Sequence, residues 1–408
     1  MKRVIFIFTI IAAGLLTSCG SKSTNGEADD ITVAVYYFPN YHPGDSRNSK
    51  EKGPGWSEWE LVKAAKSRFA GHRQPRVPLW GYTNEADPKQ MAQKIAAAAA
   101  NGINAFIFDW YYYDDGPFLE KALEQGFMKA PNNDLLKFSL MWANHDWEEI
   151  HPYTEGAPRE VLYPGKITPQ TWDKMTDMII SRYFKHKSYW LIDGAPYFSV
   201  YDLSKLQESF GSVAATAKAL ADFRKKTIAA GFKDLHLNAV VWGNPILHAE
   251  KTVTDPVALV HELGFNSVTS YVWIHHVPLH QQVVPFDTVK KAYMKYAMEA
   301  TNNYAVPYFP NVSVGWDASP RTDQRTPFNN SGYPYTNTIG ENTPAAFESA
   351  LRDVKQFMQT HAQKVVTINS WNEWTEGSYL EPDTTHRMKY LEAIKAVFGK
   401  KQVSAQSK

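Results

Sequence analysis

The sequence predicts an α/β fold in which eight parallel strands close into a single (β/α)8 barrel. Two observations support this prediction: short apolar runs recur along the chain, and helix-like segments separate most of them. The runs are apolar almost without interruption, which suits strands covered on both faces. A chain of 408 residues is long enough for one such barrel. The predicted strands are residues 31–38, 103–109, 137–143, 196–201, 235–241, 267–272, 308–314 and 365–370.

Helix signals lie between the predicted strands. The clearest helix begins at Asp87-Pro88, where an aspartate suits the N-cap and a proline suits the first turn. It stops at Asn101-Gly102. The other helices are predicted at residues 117–129, 169–182, 203–231, 285–302, 344–361 and 385–398.

The N-terminus has the pattern of an exported lipoprotein. A basic start precedes a short apolar run at residues 4–16, which suits a signal peptide and is too short to span a bilayer. Leu16-Thr-Ser-Cys19 resembles a lipobox, in which Cys19 would carry the lipid anchor. We expect a signal peptide at 1–19, a flexible tether at 20–30, a catalytic domain at 31–400 and a polar tail at 401–408. This pattern predicts a Gram-negative lipoprotein, in the periplasm or the outer membrane.

The composition limits the kinds of molecule that the protein is expected to bind. The net charge is +1 and no basic run stands out, so nucleic acid is a poor partner and membrane contact is expected only through Cys19. Aromatic residues make up 14% of the chain, with 13 Trp. These rings either fill a large core or stack on the C–H faces of sugars. We expect a monomer that acts on a polysaccharide or oligosaccharide.

The carboxyl-terminal ends of the predicted strands are rich in aromatic and polar residues. In a (β/α)8 barrel these ends meet at one face, and the active site forms there. The strand ends therefore predict a polysaccharide cleft. The residues expected in it are Tyr36, Tyr41, Asp109, Trp110, Trp142, Asn144, His145, Asp146, Trp242, Asn244, Tyr271, Trp273, Asp317, Arg321, Asn372 and Trp374.

Glu373 and Glu376 follow the eighth predicted strand and form the candidate catalytic pair. Glycoside cleavage needs a proton for the departing oxygen and a second carboxyl at the anomeric carbon. The three-residue spacing puts both carboxyls on one face if the loop begins a helical turn. Most Glu-x-x-Glu pairs are solvated helix faces, but the position after the eighth strand favours catalysis. The flanking Trp371 and Trp374 would raise one carboxyl pKa toward that of a general acid.

Other acidic and histidine residues receive simpler interpretations. Asp109 and Asp146 are expected to bind substrate hydroxyls rather than to catalyse. Glu148 and Glu149 are expected to be a solvated pair. His275 and His276 have no acidic partner spaced for coordination and are expected to be ordinary loop histidines. The sequence predicts neither a metal site nor a cofactor.

The segment 372–382, N-E-W-T-E-G-S-Y-L-E-P, resembles the catalytic segment of glycoside hydrolase family 99, the endo-α-1,2-mannosidases and mannanases. The chain is still more similar to the WbsX-like group related to that family, whose members are described as glycosyltransferases or hydrolases of bacterial polysaccharide. Further similar segments lie at residues 35–41, 86–88, 102–111 and 313–317. The resemblance therefore covers most of the chain after the leader.

The resemblance implies a (β/α)8 fold and a retaining mechanism that needs no metal. Glu373 would act as the base on the sugar's own 2-hydroxyl, which attacks the anomeric carbon and forms a 1,2-anhydro sugar. Glu376 would protonate the departing oxygen and then activate water. The chemistry requires O2 trans to the leaving group, as in α-mannosides and α-rhamnosides. Tyr41, Trp110 and Tyr271 match aromatic positions that line the family's cleft.

The sequence also departs from the family pattern. Thr375 stands where the resemblance leads us to expect His, and Pro39-Asn-Tyr41 replaces Pro-Trp-Tyr. The stretch 44–76, which contains Trp56-Ser-Glu-Trp59, has no counterpart. These departures leave the choice between mannose-like and rhamnose-like substrates open.

Two other functions are compatible with the pattern. One is a glycan-binding lipoprotein on a degenerate barrel, although loss of one carboxylate would be its signature and both are present. The other is a glycosyltransferase of polysaccharide assembly. The leader argues against it because nucleotide sugars are cytoplasmic, and the chain has no glycine-rich phosphate loop.

Overall fold

The computed structural model describes residues 31–399, in which a parallel barrel forms as the sequence predicts. The predicted signal peptide, Cys19, the tether, residue 400 and the tail lie outside the described residues. Every predicted strand segment contains a barrel strand. The strands are β1 Thr32–Tyr37, β2 Ala105–Tyr113, β3 Lys137–Trp142, β4 Ala195–Val200, β5 His236–Val240, β6 Ser267–Thr269, β7 in two pieces, Tyr308–Phe309 and Asn311–Ser313, and β8 Val365–Asn369.

Pro310 divides β7 without opening the barrel. Val268 of β6 lies opposite Tyr308 in the first piece, and Thr367 of β8 lies opposite Asn311 in the second. Proline has no amide hydrogen to give to a ladder, but its carbonyl still accepts from the Thr367 amide at 2.9 Å. Since β8 also pairs with β1, the ring of strands is closed.

The helices between the strands largely follow the prediction, with one break. The predicted helix at 203–231 is two helices, because Gly211 ends the first in the left-handed conformation at φ +79°. The short helices α1, α2 and α7 were not predicted.

No helix in residues 31–399 is long and apolar enough to cross a membrane. The helices are α1 Ser46–Lys52, α2 Trp59–Ala64, α3 Pro88–Ala100, α4 Pro169–Met178, α5 Leu203–Phe210, α6 Val213–Ala229, α7 Pro256–Glu262, α8 Phe286–Asn303, α9 Pro344–Thr360 and α10 Lys389–Phe398.

The helix predicted at 117–129 is wrong over its first part. Gly116–Phe118 is a short strand antiparallel to the end of β2, and only Ala122–Phe127 is helical, as a π-turn. Other single turns are Asn133–Leu135, Ile179–Phe184, Trp273–His275, Ser319–Arg321 and Trp374–Glu376. Short strands pair as Trp147–Glu148 with Val161–Tyr163, Val283–Pro285 with Thr338–Gly340, Asn372–Glu373 with Ser378–Tyr379, and Leu191–Ile192 with β4.

A buried cation on α3 supports the loop after β8. Lys94 Nζ lies 2.8 Å from an oxygen of Glu85 and 2.8 Å from an oxygen of Glu381, and all three side chains are at most 1% exposed. Glu85 also accepts from Asn372 Nδ2, and Glu381 accepts from Trp374 Nε1. The charged triad therefore fixes the segment that carries the predicted catalytic pair.

Replacing Lys94 with Met tests this support. The substitution keeps the apolar stem but leaves two buried carboxyls without a counter-charge, so the free energy of unfolding should fall by about 3–5 kcal/mol. Urea denaturation measures the loss. Lys63→Met, which breaks the exposed pair with Glu60 on α2, should cause no measurable loss. Equal stability of the two variants would contradict the role given to Lys94.

Glu250 closes the loop after β5. Its Oε2 accepts the backbone N–H groups of Ile246 at 2.6 Å and Leu247 at 3.0 Å, and its Oε1 accepts from the Tyr201 hydroxyl at 2.6 Å. Burial raises the pKa of Glu250 from its ordinary 4.5 to about 7, although these donors act in the opposite direction. Folding therefore favours the protonated side chain.

Glu250→Gln should change the pH dependence of stability. Because the folded pKa is raised, the stability that the acid form contributes is present below pH 4.5 and is lost as the pH rises through about 7. Gln keeps the neutral hydrogen bonding and cannot ionise. Relative to wild type, the variant should therefore gain about 3 kcal/mol between about pH 4.5 and about pH 8. Denaturant titrations at both pH values measure this gain, and a pH-independent difference would refute it.

Candidate active site

The loop after β8 carries Glu373 and Glu376 into one cavity at the carboxyl-terminal ends of the strands. Asn372–Glu373 pairs with Ser378–Tyr379, and the 3₁₀ turn Trp374–Glu376 lies between them. Glu373 ends the short strand before this turn, Glu376 ends the turn, and both side chains line the cavity. The helical turn expected to include both residues therefore begins one residue after Glu373.

Arg321, at the turn after β7, bridges the two carboxyls. Its Nη1 donates to Glu376 Oε1 at 2.5 Å, and its Nη2 lies 3.4 Å from Glu373 Oε2. The Tyr333 hydroxyl also donates to Glu376 Oε1, at 2.8 Å. Glu376 therefore has two close donors, whereas the contact of Arg321 with Glu373 is longer and weaker.

A third carboxyl, Asp109 of β2, lies beside the pair. The Tyr271 hydroxyl is 2.8 Å from Asp109 Oδ2 and 3.2 Å from Glu373 Oε1, so this phenol links the two acids. The other oxygen of Asp109, Oδ1, is buried and has no hydrogen-bond partner among residues 31–399. A buried polar atom in this state suits contact with a substrate hydroxyl.

Burial has the largest influence on the ionisation of these acids. It raises the pKa of Glu373 well above its ordinary value; the nearby Glu376 and Asp109 raise it further, and Arg321 lowers it. Burial also raises the pKa of Glu376, while Arg321 and the Tyr333 hydroxyl lower it. The pair therefore holds a proton at a pH where free carboxyls would be ionised. One proton on two carboxyls supplies one acid and one base.

Aromatic rings form much of the cavity wall. The cavity encloses about 710 Å³ of empty space, its open mouth included. Trp147 stacks on His151 with 10° between the ring planes, and burial lowers the pKa of His151 to about 3, so this ring is neutral. Rings with polar edges suit the C–H faces and hydroxyls of sugars. The other rings of the wall belong to Phe38, Tyr111, His145, Tyr201, Tyr271, His275, Trp316 and Tyr333.

The structure brings several predicted residues together at this cavity. They come from five strand ends that lie far apart in the sequence, as the barrel prediction requires. They are Asp109, His145, Asp146, Tyr271, Arg321, Glu373 and Glu376.

Trp110 and Trp142 do not line the cavity, which corrects the prediction. Successive side chains of a strand point to opposite faces. Asp109 and Met141 line the cavity, so Trp110 and Trp142, the next residue in each strand, face the helices. Trp142 packs on Trp172 of α4, with 5.6 Å between ring centroids.

Asn144 and Asn372 tie loops together instead of lining the cavity. Asn144 accepts from the Asp202 amide and donates to the Asp202 carbonyl, both at 2.7 Å. Asn372 makes the same pair of hydrogen bonds with Phe38, at 2.8 and 2.7 Å. Each side-chain amide thus completes backbone hydrogen bonds, which corrects its assignment as a substrate contact.

Tyr36, Tyr41, Trp273 and Trp374 are core side chains, fully buried and absent from the cavity wall. Both indole N–H groups are used within the protein, by a backbone carbonyl and by a carboxylate. Tyr36 packs behind the cavity wall. Tyr41 supports the catalytic loop, because its hydroxyl accepts from the Thr375 amide at 3.2 Å. The large aromatic core therefore accounts for these four residues.

Trp242, Asn244 and Asp317 also lie outside the wall of this cavity. Trp242 packs behind Tyr201, with 4.8 Å between ring centroids. Asp317 belongs to a neighbouring cavity that encloses about 1310 Å³ of empty space, and its carboxylate lies 3.3 Å from Arg76. Selecting residues at the carboxyl-terminal ends of the predicted strands thus located the mouth of the barrel. It did not identify which of these residues face Glu373 and Glu376.

Glu58, which anchors Arg321, was not predicted from the sequence. Glu58 Oε1 accepts from Arg321 Nε at 2.7 Å. This glutamate lies within residues 44–76, so its only signal was a lone acid between Trp56 and Trp59. Tyr333 was missed because it lies far along the chain from any strand end.

Two of the simpler interpretations need correction. Glu148, expected to be solvated, is 6% exposed and lines the cavity. His275 is fully buried and also lines the cavity, in the single turn Trp273–His275. Burial lowers the pKa of His275 to about 3, so the ring is neutral.

Comparison with solved structures supports the barrel. The GH99 endo-alpha-mannosidase from Bacteroides thetaiotaomicron, in complex with Bis-Tris-propane, aligns with a TM-score of 0.54 and 14% identity over 90% of this chain and 96% of that chain. A structure described as a glycoside hydrolase-like protein aligns with a TM-score of 0.55 and 16% identity, over 91% of this chain and 94% of that one. At these identities the similarity establishes the fold.

Two curated relatives are both described as "Uncharacterized protein WxcX", from Xanthomonas campestris pv. campestris strains B100 and ATCC 33913. They are 26% and 25% identical to this chain over 376 and 377 residues. The alignments cover 89% of this chain but only 49% of each relative, so the chain spans about half their length. The family model described as "Glycosyltransferase WbsX" matches residues 33–394. This match runs through the whole barrel, and the protein therefore belongs to the WbsX family.

Proposed function

We propose that this protein is a retaining α-glycoside hydrolase that cleaves mannose-like or rhamnose-like units of a polysaccharide. The observation that carries the proposal is the pair Glu373 and Glu376, two buried carboxyls that face one cavity and whose pKa values burial raises. A glycosidase needs one acid and one base at the same bond. The endo-alpha-mannosidase activity named for a similar structure agrees with this chemistry.

The proposed reaction uses the substrate's own 2-hydroxyl as the nucleophile. In the first step Glu373 takes the O2 proton, O2 bonds to the anomeric carbon, and the bond to the leaving oxygen breaks as Glu376 protonates it. In the second step Glu376 takes a proton from water, which opens the 1,2-anhydro ring, and Glu373 returns a proton to O2. Both carboxyls regain their starting states, so the cycle closes.

The charges around the pair favour the opposite placement of the proton. Arg321 and Tyr333 both donate to Glu376 and stabilise its ionised form, whereas Glu373 has the more strongly raised pKa. By this criterion Glu373 would be the acid and Glu376 the base. The family resemblance implies the roles given above, and we keep them in the proposal. The two assignments predict a different leaving-group dependence for the single variants, which decides between them.

The composition of the cavity favours sugar over nucleotide sugar. A glycosyltransferase, the activity in the family's description, must bind a diphosphate, which needs cations or a cluster of free backbone N–H groups. Arg321 is the only Lys or Arg among the residues that line the cavity, and three carboxylates already surround it. Asp109, whose pKa burial raises well above its ordinary value, adds a further acidic group and no cation. Among the residues that line the cavity, no cation is therefore left to bind a diphosphate.

Replacing either carboxyl with its amide tests the proposal. Glu373→Gln and Glu376→Gln should each lower kcat by about 10²–10⁴-fold, measured by product release from α-mannan and α-rhamnan polysaccharides. Sugar binding, measured by calorimetry, should persist. Glu208→Gln on α5, outside the cavity, is the matched control and should retain full activity. Wild-type turnover in both catalytic variants would exclude the proposed pair, and activity only with a nucleotide sugar would favour the transferase.

Leaving-group dependence assigns the two roles. In an aryl α-glycoside with an acidic phenol, the phenolate leaves without a proton, so the variant that lacks the acid should recover most of its kcat/KM, which reports the first step alone, on this substrate. The variant that lacks the base should stay slow on every substrate. We expect recovery in Glu376→Gln. Recovery in Glu373→Gln instead would exchange the roles, in the direction that the charges favour.

A further inference from the structure

We infer that Glu58 is a positioning residue, which fixes Arg321 and thereby sets the protonation of the Glu373–Glu376 pair. The inference rests on the proposed function of that pair. Glu58 lies in the stretch 44–76, which has no counterpart in the family pattern, and it does not line the cavity. Its effect must therefore reach the cavity through Arg321.

Glu58 is held in one orientation. It is fully buried immediately before α2, and its Oε2 accepts from Asn40 Nδ2 at 2.7 Å. Its Oε1 accepts from Arg321 Nε at 2.7 Å and from Thr375 Oγ1 at 2.5 Å. The backbone amide of Glu58 also donates to the Asn40 carbonyl at 3.1 Å. With both oxygens occupied, the carboxylate cannot turn away without leaving a buried donor unpaired.

This anchoring decides where the guanidinium points. Nε and Nη2 of Arg321 both lie 2.7 Å from Glu58 Oε1. A guanidinium is planar, so fixing this edge also fixes the direction of its other N–H groups. Those groups meet Glu376 at 2.5 Å and Glu373 at 3.4 Å. Without Glu58, Arg321 would be free to move onto either catalytic carboxyl.

Glu58 also contributes its charge. Burial alone would raise its pKa, but the charge of Arg321 and the hydrogen bonds from Thr375 and Arg321 hold the pKa of Glu58 below its ordinary value. The ionised Glu58 raises the pKa of both Glu373 and Glu376, whereas Arg321 lowers both. Its negative charge therefore offsets much of the arginine's positive charge and lets the pair keep its proton.

The remaining groups around the pair do not replace this contribution. Asp109 raises the pKa of Glu373, and the Tyr333 hydroxyl lowers that of Glu376. The Tyr271 hydroxyl lies between Asp109 and Glu373. Arg321 Nη1 also donates to the Tyr333 hydroxyl, but none of these three groups bonds the arginine at its Nε edge. Among the described neighbours outside the pair, only Glu58 both orients the arginine and offsets its charge.

Thr375 belongs to the same arrangement. It stands between the catalytic residues, at the position where the family pattern leads us to expect His, and its hydroxyl donates to Glu58. The two departures from the family, the stretch 44–76 and Thr375, thus meet in one hydrogen bond.

Glu58→Gln tests the inference in the full-length protein. The amide keeps the size of the side chain and removes its charge, so the pKa of both catalytic carboxyls should fall. The basic limb of the kcat/KM profile should shift to lower pH by about one unit, and kcat at the optimum should fall about tenfold. KM should stay near the wild-type value because Glu58 does not line the cavity. An unchanged basic limb, or a shift to higher pH, would overturn the inference.

Matched variants separate the effect of Glu58 on the position of Arg321 from an effect on the stability of the fold. Glu381→Gln removes a buried carboxyl that pairs with Lys94 and supports the same loop without contacting Arg321. It should lower stability and leave the basic limb in place. If Glu58→Gln does not fold, Thr375→Val removes one donor to Glu58 and should shift the limb in the same direction by a smaller amount. An equal shift in Glu381→Gln would reduce Glu58 to a structural role.

A readout without turnover separates this inference from the proposed function. The catalytic carboxyls can be titrated by NMR in protein labelled with ¹³C at glutamate side chains, with Glu373→Gln and Glu376→Gln identifying the signals. Glu58→Gln should lower the pKa of both. If this shift occurs while no glycoside is cleaved, the positioning inference stands and the proposed function fails. If glycosides are cleaved and the pKa values do not move, the reverse holds.

Discussion

A single buried guanidinium organises the mouth of this barrel. Arg321 meets three carboxylates, Glu58, Glu373 and Glu376, which come from the loops that follow β1 and β8. Burying a charge costs several kcal/mol unless it is paired and hydrogen-bonded. Once the arginine is buried, the three acids must therefore stay close to it.

A second charged network, around Lys94, supports the same loop from the side of α3. It is separate from the arginine network and bonds Asn372 and Trp374, the residues on either side of Glu373. The two buried cations therefore have different roles. Lys94 holds the loop in place, and Arg321 lowers the pKa of the two acids that the loop carries. This division allows Glu373 and Glu376 to keep raised pKa values while the loop around them is held in place.

The sequence predicted the barrel well because the signal for a buried parallel strand is local. The predicted strand segments are largely apolar, and even Pro310 within β7 did not hide the pattern. The Glu pair was located by its position after the eighth strand. Aromatic residues at strand ends were a poorer guide, because a shift of one residue moves a side chain to the other face. Asp109 lines the cavity, and Trp110 beside it packs in the core.

By itself the sequence determined the order of strands, the face on which the site forms and the pair of acids at its centre. Only the tertiary structure decided what surrounds those acids. Glu58 and Arg321 are 263 positions apart, and their bond exists only because closing the barrel brings the loops after β1 and β7 to one end. Periodicity is a property of neighbouring residues and can be read along the chain. The charge environment of a catalytic carboxyl is a sum over residues distant in sequence, so it is defined only in the folded protein.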